Sequence, residues 1–169
     1  GKGFTNVVGS EGTPAEEGQV GQVYSVDPTG KKVPFNRKIT LTYYTPFGDV
    51  PQPGAASASP SPVASGAATN VSWPVASCPT DLTVQAYNIT YGGGASGPGS
   101  STSTNVSVTA PTLEAGAANA TITVSYTVTC GNGTITRTSA ASPDLSITVT
   151  APPAPDPGPV RPSAEGGGS

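Results

Sequence analysis

The chain has 169 residues, 10% of them charged, with a formal net charge of −3, no His and no Met. That balance argues against nucleic acid, which needs a clustered basic surface to neutralise phosphates, and against electrostatic docking on anionic lipid. The missing His removes the usual general base near neutral pH and the commonest metal ligand, and the ten Asp and Glu residues are scattered, so the expectation is a non-enzyme with neither cofactor nor metal.

Gly (22) and Pro (19) together approach a quarter of the chain, but unevenly, which points to ordered segments joined by flexible ones. No run approaches the roughly 18–20 apolar residues of a membrane span. The chain does not begin with Met and shows no signal-peptide core. The opening Gly1-Lys2-Gly3-Phe4 reads as mid-domain, so a fragment of an exported protein is expected, with no membrane insertion of its own.

Residues 1–48 hold most of the charge. Val23-Tyr24-Ser25-Val26 is a short strand candidate running into Asp27-Pro28-Thr29-Gly30, where Pro fixes φ and Gly supplies a positive φ for a turn. Ile39-Thr40-Leu41-Thr42-Tyr43 alternates with period two and is the best strand of this part. Residues 49–68 are Pro, Ala, Ser and Gly with little charge or bulk. Such composition buries too little to offset its ordering entropy, so this stretch reads as a disordered linker.

Residues 69–150 are rich in Thr, Ser and Val. Val71, Trp73 and Val75 alternate, as do Val106 and Val108, and Leu145, Ile147 and Val149. From Thr121 to Cys130, Ile122, Val124, Tyr126, Val128 and Cys130 take one face, with Thr and Ser on the other. That is the pattern of an antiparallel sheet wetted on one side. Leu82 to Tyr91 is extended with a phase slip between Val84 and Tyr87, which predicts a β-bulge near Ala86. Gly92-Gly93-Gly94, Gly97-Pro98-Gly99 and Gly131-Asn132-Gly133 punctuate the strands. Short strands at this spacing predict a β-sandwich. Residues 151–169 return to Pro and Gly and read as a disordered tail, whose closing Gly166-Gly167-Gly168-Ser169 is either native or appended.

Cys78 and Cys130 are the only cysteines. A disulfide across the sandwich is expected, which implies an oxidising compartment. Two buried free thiols are the alternative; a metal site is weaker, since two thiols without His or an acidic cluster rarely hold a metal.

The first segment resembles the C-terminal half of a PASTA repeat. The resemblance rests on Gly3-Phe4-Thr5-Asn6-Val7, Pro14-Ala15-Glu16-Glu17-Gly18-Gln19-Val20, Asp27-Pro28-Thr29-Gly30, Val33-Pro34 and Ile39-Thr40-Leu41-Thr42, in the family's order and spacing. It implies a truncated three-stranded module from the extracellular part of a bacterial serine/threonine kinase or a penicillin-binding protein. Its implied partner is peptidoglycan, as uncrosslinked muropeptide fragments. The segment after the linker resembles a fibronectin type III or related immunoglobulin-like domain. Trp73 falls in its second predicted strand, Tyr87 in the third and Tyr126 in the penultimate one. Antibody-type domains place Trp between the two cysteines, whereas Trp73 precedes both.

The expected organisation is therefore mainly β: residues 1–48 a partial PASTA-like sheet, 49–68 a linker, 69–150 a fibronectin type III-like sandwich, and 151–169 a tail. The expected function is the extracellular, cell-wall-side sensor region of a membrane-anchored bacterial protein, with the sandwich as spacer or docking module for a protein partner. A purely structural or adhesive surface protein and the tail of a penicillin-binding protein are the alternatives. Any kinase chemistry would lie elsewhere, because the chain has no Gly-rich phosphate loop, no His-Arg-Asp and no Asp-Phe-Gly.

Candidate contact residues follow. Arg37, with Lys38, Lys31 and Lys32, forms the only basic cluster, suited either to the carboxylates of a stem peptide or to a solvated hairpin. Tyr43 and Tyr44 are adjacent, so one faces outward, and Tyr44 is the ligand candidate. Trp73, Tyr87 and Tyr126 are expected in the sandwich core rather than on a carbohydrate platform. Glu16 and Glu17 fail as paired catalytic carboxylates for want of an apolar surround. Five Asn-x-Ser/Thr sequons, at Asn70, Asn88, Asn105, Asn119 and Asn132, are read as products of a Thr- and Ser-rich composition.

Overall fold

A computed structural model describes residues 4–30 and 32–158. Strand accounts for 46% of it, with no α-helix. The first three strands are β1 (Val7–Ala15), β2 (Val23–Asp27) and β3 (Ile39–Pro46), with one 3-10 turn at Glu17–Gln19. They form one sheet in the order β1-β3-β2, β1 parallel to β3 and β2 antiparallel to it. Periodicity does not announce β1, because Val7 and Val8 are adjacent and Gly9, Gly12 and Pro14 interrupt any alternation. It forms because β3 supplies backbone partners from Ile39 to Tyr43 and again at Thr45 and Pro46, with an irregularity between Glu11 and Pro14. Gly30 takes the positive φ (70°) that the Asp27-Pro28-Thr29-Gly30 turn calls for.

The remaining strands are β4 (Ser57–Ser59), β5 (Val63–Ala64), β6 (Ala68–Ser72), β7 (Thr83–Gly92), β8 (Ser100–Ser101), β9 (Asn105–Thr109), β10 (Ala120–Gly131), β11 (Thr136–Thr138) and β12 (Leu145–Thr150). They make two sheets. One runs β5-β12-β10-β7-β8, with β11 also on β10; the other runs β4-β6-β9. Their inner faces close on a single core. On β10, Ile122, Val124, Tyr126, Val128 and Cys130 are all buried while the intervening Thr and Ser are not, as period-two alternation requires. On the facing sheet Thr69, Val71, Val106 and Val108 point inward. The bulge falls at Gln85: Thr129 pairs with Ala86 and Cys130 with Val84, leaving Gln85 unopposed. Its amide reaches back to the Gly131 carbonyl at 3.1 Å.

Two local readings need correction. Residues 49–68 are not a free linker. They carry β4 and β5, and Val50, Ala56 and Val63 enter the sandwich core beside Phe47, which precedes them. The composition argument counted bulk per residue. Here a few widely spaced apolar side chains suffice, because both strands sit at sheet edges, where Pro is tolerated. Thr69 donates to the Pro60 carbonyl at 2.7 Å and Gln52 to the Ala141 carbonyl at 2.8 Å, tying the segment down. Val75 does not continue the Val71 and Trp73 alternation. It is 80% exposed, since β6 ends at Ser72 and Pro74 cannot extend it. Residues 151–158 run without strand or helix but are described; the rest of the expected tail, 159–169, lies outside the described residues.

Between β11 and β12 the chain cannot maintain a regular ladder beside β10, and two serines replace it. Ser139 N–H donates to the Val128 carbonyl while its hydroxyl accepts from Val128 N–H, at 2.9 Å each. Ser142 does the same to Tyr126, at 2.8 and 3.1 Å. Both serines are buried. Ser142→Ala leaves the Tyr126 N–H without its acceptor inside the core and is expected to cost about 1–3 kcal/mol. Urea unfolding of the variant checks this; an unchanged midpoint would show that water satisfies the group.

Candidate binding surfaces

The three-stranded sheet has two chemically distinct faces. Register places Val7, Leu41, Tyr43, Val23 and Val26 on one face. Val8, Ser10, Thr40, Thr42 and Asp27 take the other. The first is mostly apolar, with Ile39 buried at one end and the exposed carboxylate of Glu11 beside Tyr43, and Val7, Val23 and Val26 on it are each more than a third exposed. Among the described residues, every exposed large apolar residue apart from Val75 lies within Phe4 to Phe35, so the uncovered apolar surface lies on this sheet and its flanking turns and not on the sandwich.

Tyr44 stacks on Tyr24, ring centroids 4.4 Å apart, with Tyr24 at the irregularity between Val23 and Ser25. The Tyr24 hydroxyl accepts from Thr13 N–H. Arg37 lies in an exposed turn closed by its N–H to the Pro34 carbonyl, just before β3, and Lys32 and Lys38 are also exposed; Lys31 lies outside the described residues. Tyr44 is five residues beyond the start of β3, about 17 Å along a strand at ~3.3 Å per residue. Arg37 and Tyr44 therefore do not converge on one small ligand. Glu16 and Glu17 are exposed at the 3-10 turn.

In the sandwich, Trp73, Tyr87 and Tyr126 are buried against one another. Trp73 stacks on Tyr126 at 4.7 Å, Trp73 meets Tyr87 at 5.4 Å, and Tyr87 meets Tyr126 edge-on at 6.0 Å. Tyr126 donates to the Gly54 carbonyl at 2.7 Å, and the Tyr87 hydroxyl accepts from Ala76 N–H. No stacking face is left for a sugar. Burial, with a smaller contribution from Tyr87, raises the Tyr126 pKa above its ordinary value of 10.0. An acid whose folded pKa is raised contributes nothing below the unfolded pKa and costs stability above it. Stability is thus expected to hold steady up to about pH 10 and fall beyond it, less steeply in Tyr126→Phe; equal alkaline slopes in the two proteins would rule Tyr126 out as the cause.

Cys78 and Cys130 form a disulfide, Cα to Cα 5.8 Å, well inside bridging range. The bond is consistent with an extracellular or periplasmic location. No helix among the described residues is long and apolar enough to cross a membrane, and none of their His, Cys, Asp and Glu side chains cluster in a metal-binding group.

The residue that sequence reading passed over is Arg137. It pairs with Cys130 across the β10–β11 hairpin, so its side chain starts on the core side of the sheet. Its Nε is buried with no hydrogen-bond partner among the described residues. A cleft of about 540 Å³ opens beside it, lined also by Asp49, Val50, Thr136, Thr138 and Ala140. A second, of about 720 Å³, adds Glu17, Val20 and the Pro46–Gly48 stretch. The signal was present: a lone Arg sits seven residues after a core-phase Cys, across a Gly131-Asn132-Gly133 turn. Asn132 shapes that turn, its side-chain oxygen accepting from the N–H groups of Thr134 and Ile135. No protein-family model, curated protein or solved structure matches this chain.

Proposed function

We propose that this chain is a non-catalytic binding region on the outer side of a bacterial membrane protein, a PASTA-type sheet joined to a fibronectin type III-like sandwich. Its ligand is peptidoglycan, as muropeptide fragments, and the parent is a serine/threonine kinase that senses the cell wall. The observation that carries the reading is that the segment resembling a PASTA repeat makes a sheet of its own. Val7–Ala15, Val23–Asp27 and Ile39–Pro46, all within residues 1–48, associate in a single sheet, separate from the sandwich sheets. The uncovered apolar face and the outward Tyr24–Tyr44 stack on that sheet are suited to contact, while the disulfide-tied sandwich is suited to spacing.

The test is sedimentation of the whole chain with purified peptidoglycan, with isothermal titration of soluble muropeptides beside it. Co-sedimentation, weakened by Tyr44→Ala or Arg37→Gln, is the expected result. A chain that stays in the supernatant and gives no heat removes the peptidoglycan reading, and leaves a structural surface module in its place.

A further inference from the structure

We infer that the Arg137 cleft is a binding site for a small zwitterion: a short peptide or amino acid with a free carboxylate and a free ammonium group. The inference does not depend on peptidoglycan being the ligand of the sheet.

Three observations carry it. First, Arg137 is the one residue common to both adjoining clefts that bears a positive charge, and its Nε–H is buried with no acceptor. Burying part of a charged group without a partner carries a desolvation cost that nothing among the described residues offsets. A carboxylate in the cleft supplies the missing countercharge through the two Nη groups, which are not buried with Nε and form a planar pair that takes two carboxylate oxygens at once.

Second, the site is held in place. Arg137 is in register with Cys130, which is fully buried and tied to Cys78 by the disulfide. Val50 on the opposite wall is a core residue. The strand that carries the guanidinium is thus braced by a covalent link, the arrangement that keeps a binding group oriented.

Third, the remaining charges choose the ligand. Asp49 lines both clefts and Glu17 lines the larger. A ligand with only negative charge would gain from Arg137 and lose to the two carboxylates. A ligand that sets its carboxylate on Arg137 and its ammonium towards Asp49 or Glu17 satisfies both signs. A cleft of about 540 Å³ has room for a peptide of a few residues. The competing role for Arg137 is an inward charge that protects a sheet edge from pairing.

The test is NMR titration of the whole, oxidised chain with trialanine, its C-terminal amide, its N-acetyl form and inorganic phosphate. Trialanine is expected to shift the amides of residues 49–50 and 136–138 saturably. Amidation is expected to weaken binding at least tenfold, N-acetylation several-fold, and phosphate is expected to leave these amides in place. Arg137→Gln abolishes the response. Arg137→Lys, which keeps the charge but not the fork, loses most of it, and Asp49→Asn removes the preference for the free amine while leaving the fold and Arg137 intact. Shifts that are equal for trialanine and its amide, or that survive Arg137→Gln in a folded protein, overturn the proposal. So does an Arg137→Gln variant whose only change is self-association. If trialanine binds through Arg137 while peptidoglycan does not sediment the chain, the cleft stands and the peptidoglycan reading falls. Peptidoglycan binding with a silent cleft gives the reverse.

Discussion

Trp73→Ala is expected to destabilise the sandwich by about 3–5 kcal/mol, the range for emptying a large aromatic from a packed core. Against the ~5–15 kcal/mol of a typical domain, that is enough to leave the variant partly unfolded at ordinary temperature. The size of the effect follows from position. Trp73 touches Tyr126 on one sheet strand and Tyr87 on the next, while belonging by sequence to the end of the opposite sheet. It is the aromatic that joins the two layers. Trp73→Phe separates volume from polarity. It keeps a ring in the stack and removes an indole N–H that is buried with no partner, so its loss is expected to stay below about 1.5 kcal/mol. Chemical unfolding followed by near-ultraviolet circular dichroism reads both variants. An alanine variant as stable as wild type would mean that the core closes over the gap, and the account of Trp73 as the joining side chain would be dropped.

Reduction of Cys78–Cys130 is the second large effect. The bridge closes a loop of 52 residues, for which the chain-entropy relation gives about 4 kcal/mol as an upper figure. Trp73 is the only tryptophan and lies in the same core, so its fluorescence reports the loss directly. The guanidinium midpoint of the reduced protein is expected to fall well below that of the oxidised one, and Cys78→Ala/Cys130→Ala should match the reduced protein within about 1 kcal/mol, as small buried replacements of a free Cys do. If the reduced and oxidised proteins unfold together, the bond contributes nothing to the fold. The Arg137 cleft would then lose its brace as well, since β11 hangs on β10 at Cys130.

The two effects are coupled in space but not in mechanism. Removing Trp73 acts on the folded state, by taking contacts out of the core. Removing the disulfide acts chiefly on the unfolded chain, by releasing its conformations. Far-separated sites add; these share a core, through Tyr87, Tyr126 and Cys130, so the combined variant is expected to depart from a simple sum.

How much of this was legible in the residues varies with the physics involved. Alternation in Thr121–Cys130 was enough to place β10 and its buried face, because a strand with one wet side writes its period into the side chains. The same alternation put Cys130 on the core face, and phase slip put the bulge within one residue of Gln85. The strand Ile39–Tyr43 and the positive φ of Gly30 after Asp27-Pro28-Thr29 were legible for equally local reasons.

What lay beyond the sequence were the features set by partners far along the chain. Residues 49–68 look unstructured by composition; only the presence of β6 and β12 beside them makes β4 and β5 into strands. Ser139 and Ser142 carry no local signal, and become ladder substitutes only against the backbone of Val128 and Tyr126. β1 is ordered by a parallel pairing across some thirty residues of intervening chain, and parallel pairing leaves no local turn to announce it. Arg37 and Tyr44 looked like neighbours in sequence, yet the extended rise of β3 holds them apart. Arg137 drew no reading from the sequence, yet hairpin register brings it to a cleft that Asp49 also lines. Local periodicity and turn chemistry therefore determined which segments are strands and which way they face. Which strands meet, and which charges end up facing one another, was decided by long-range backbone pairing, because a single strand's hydrogen-bonding edge carries no record of its partner.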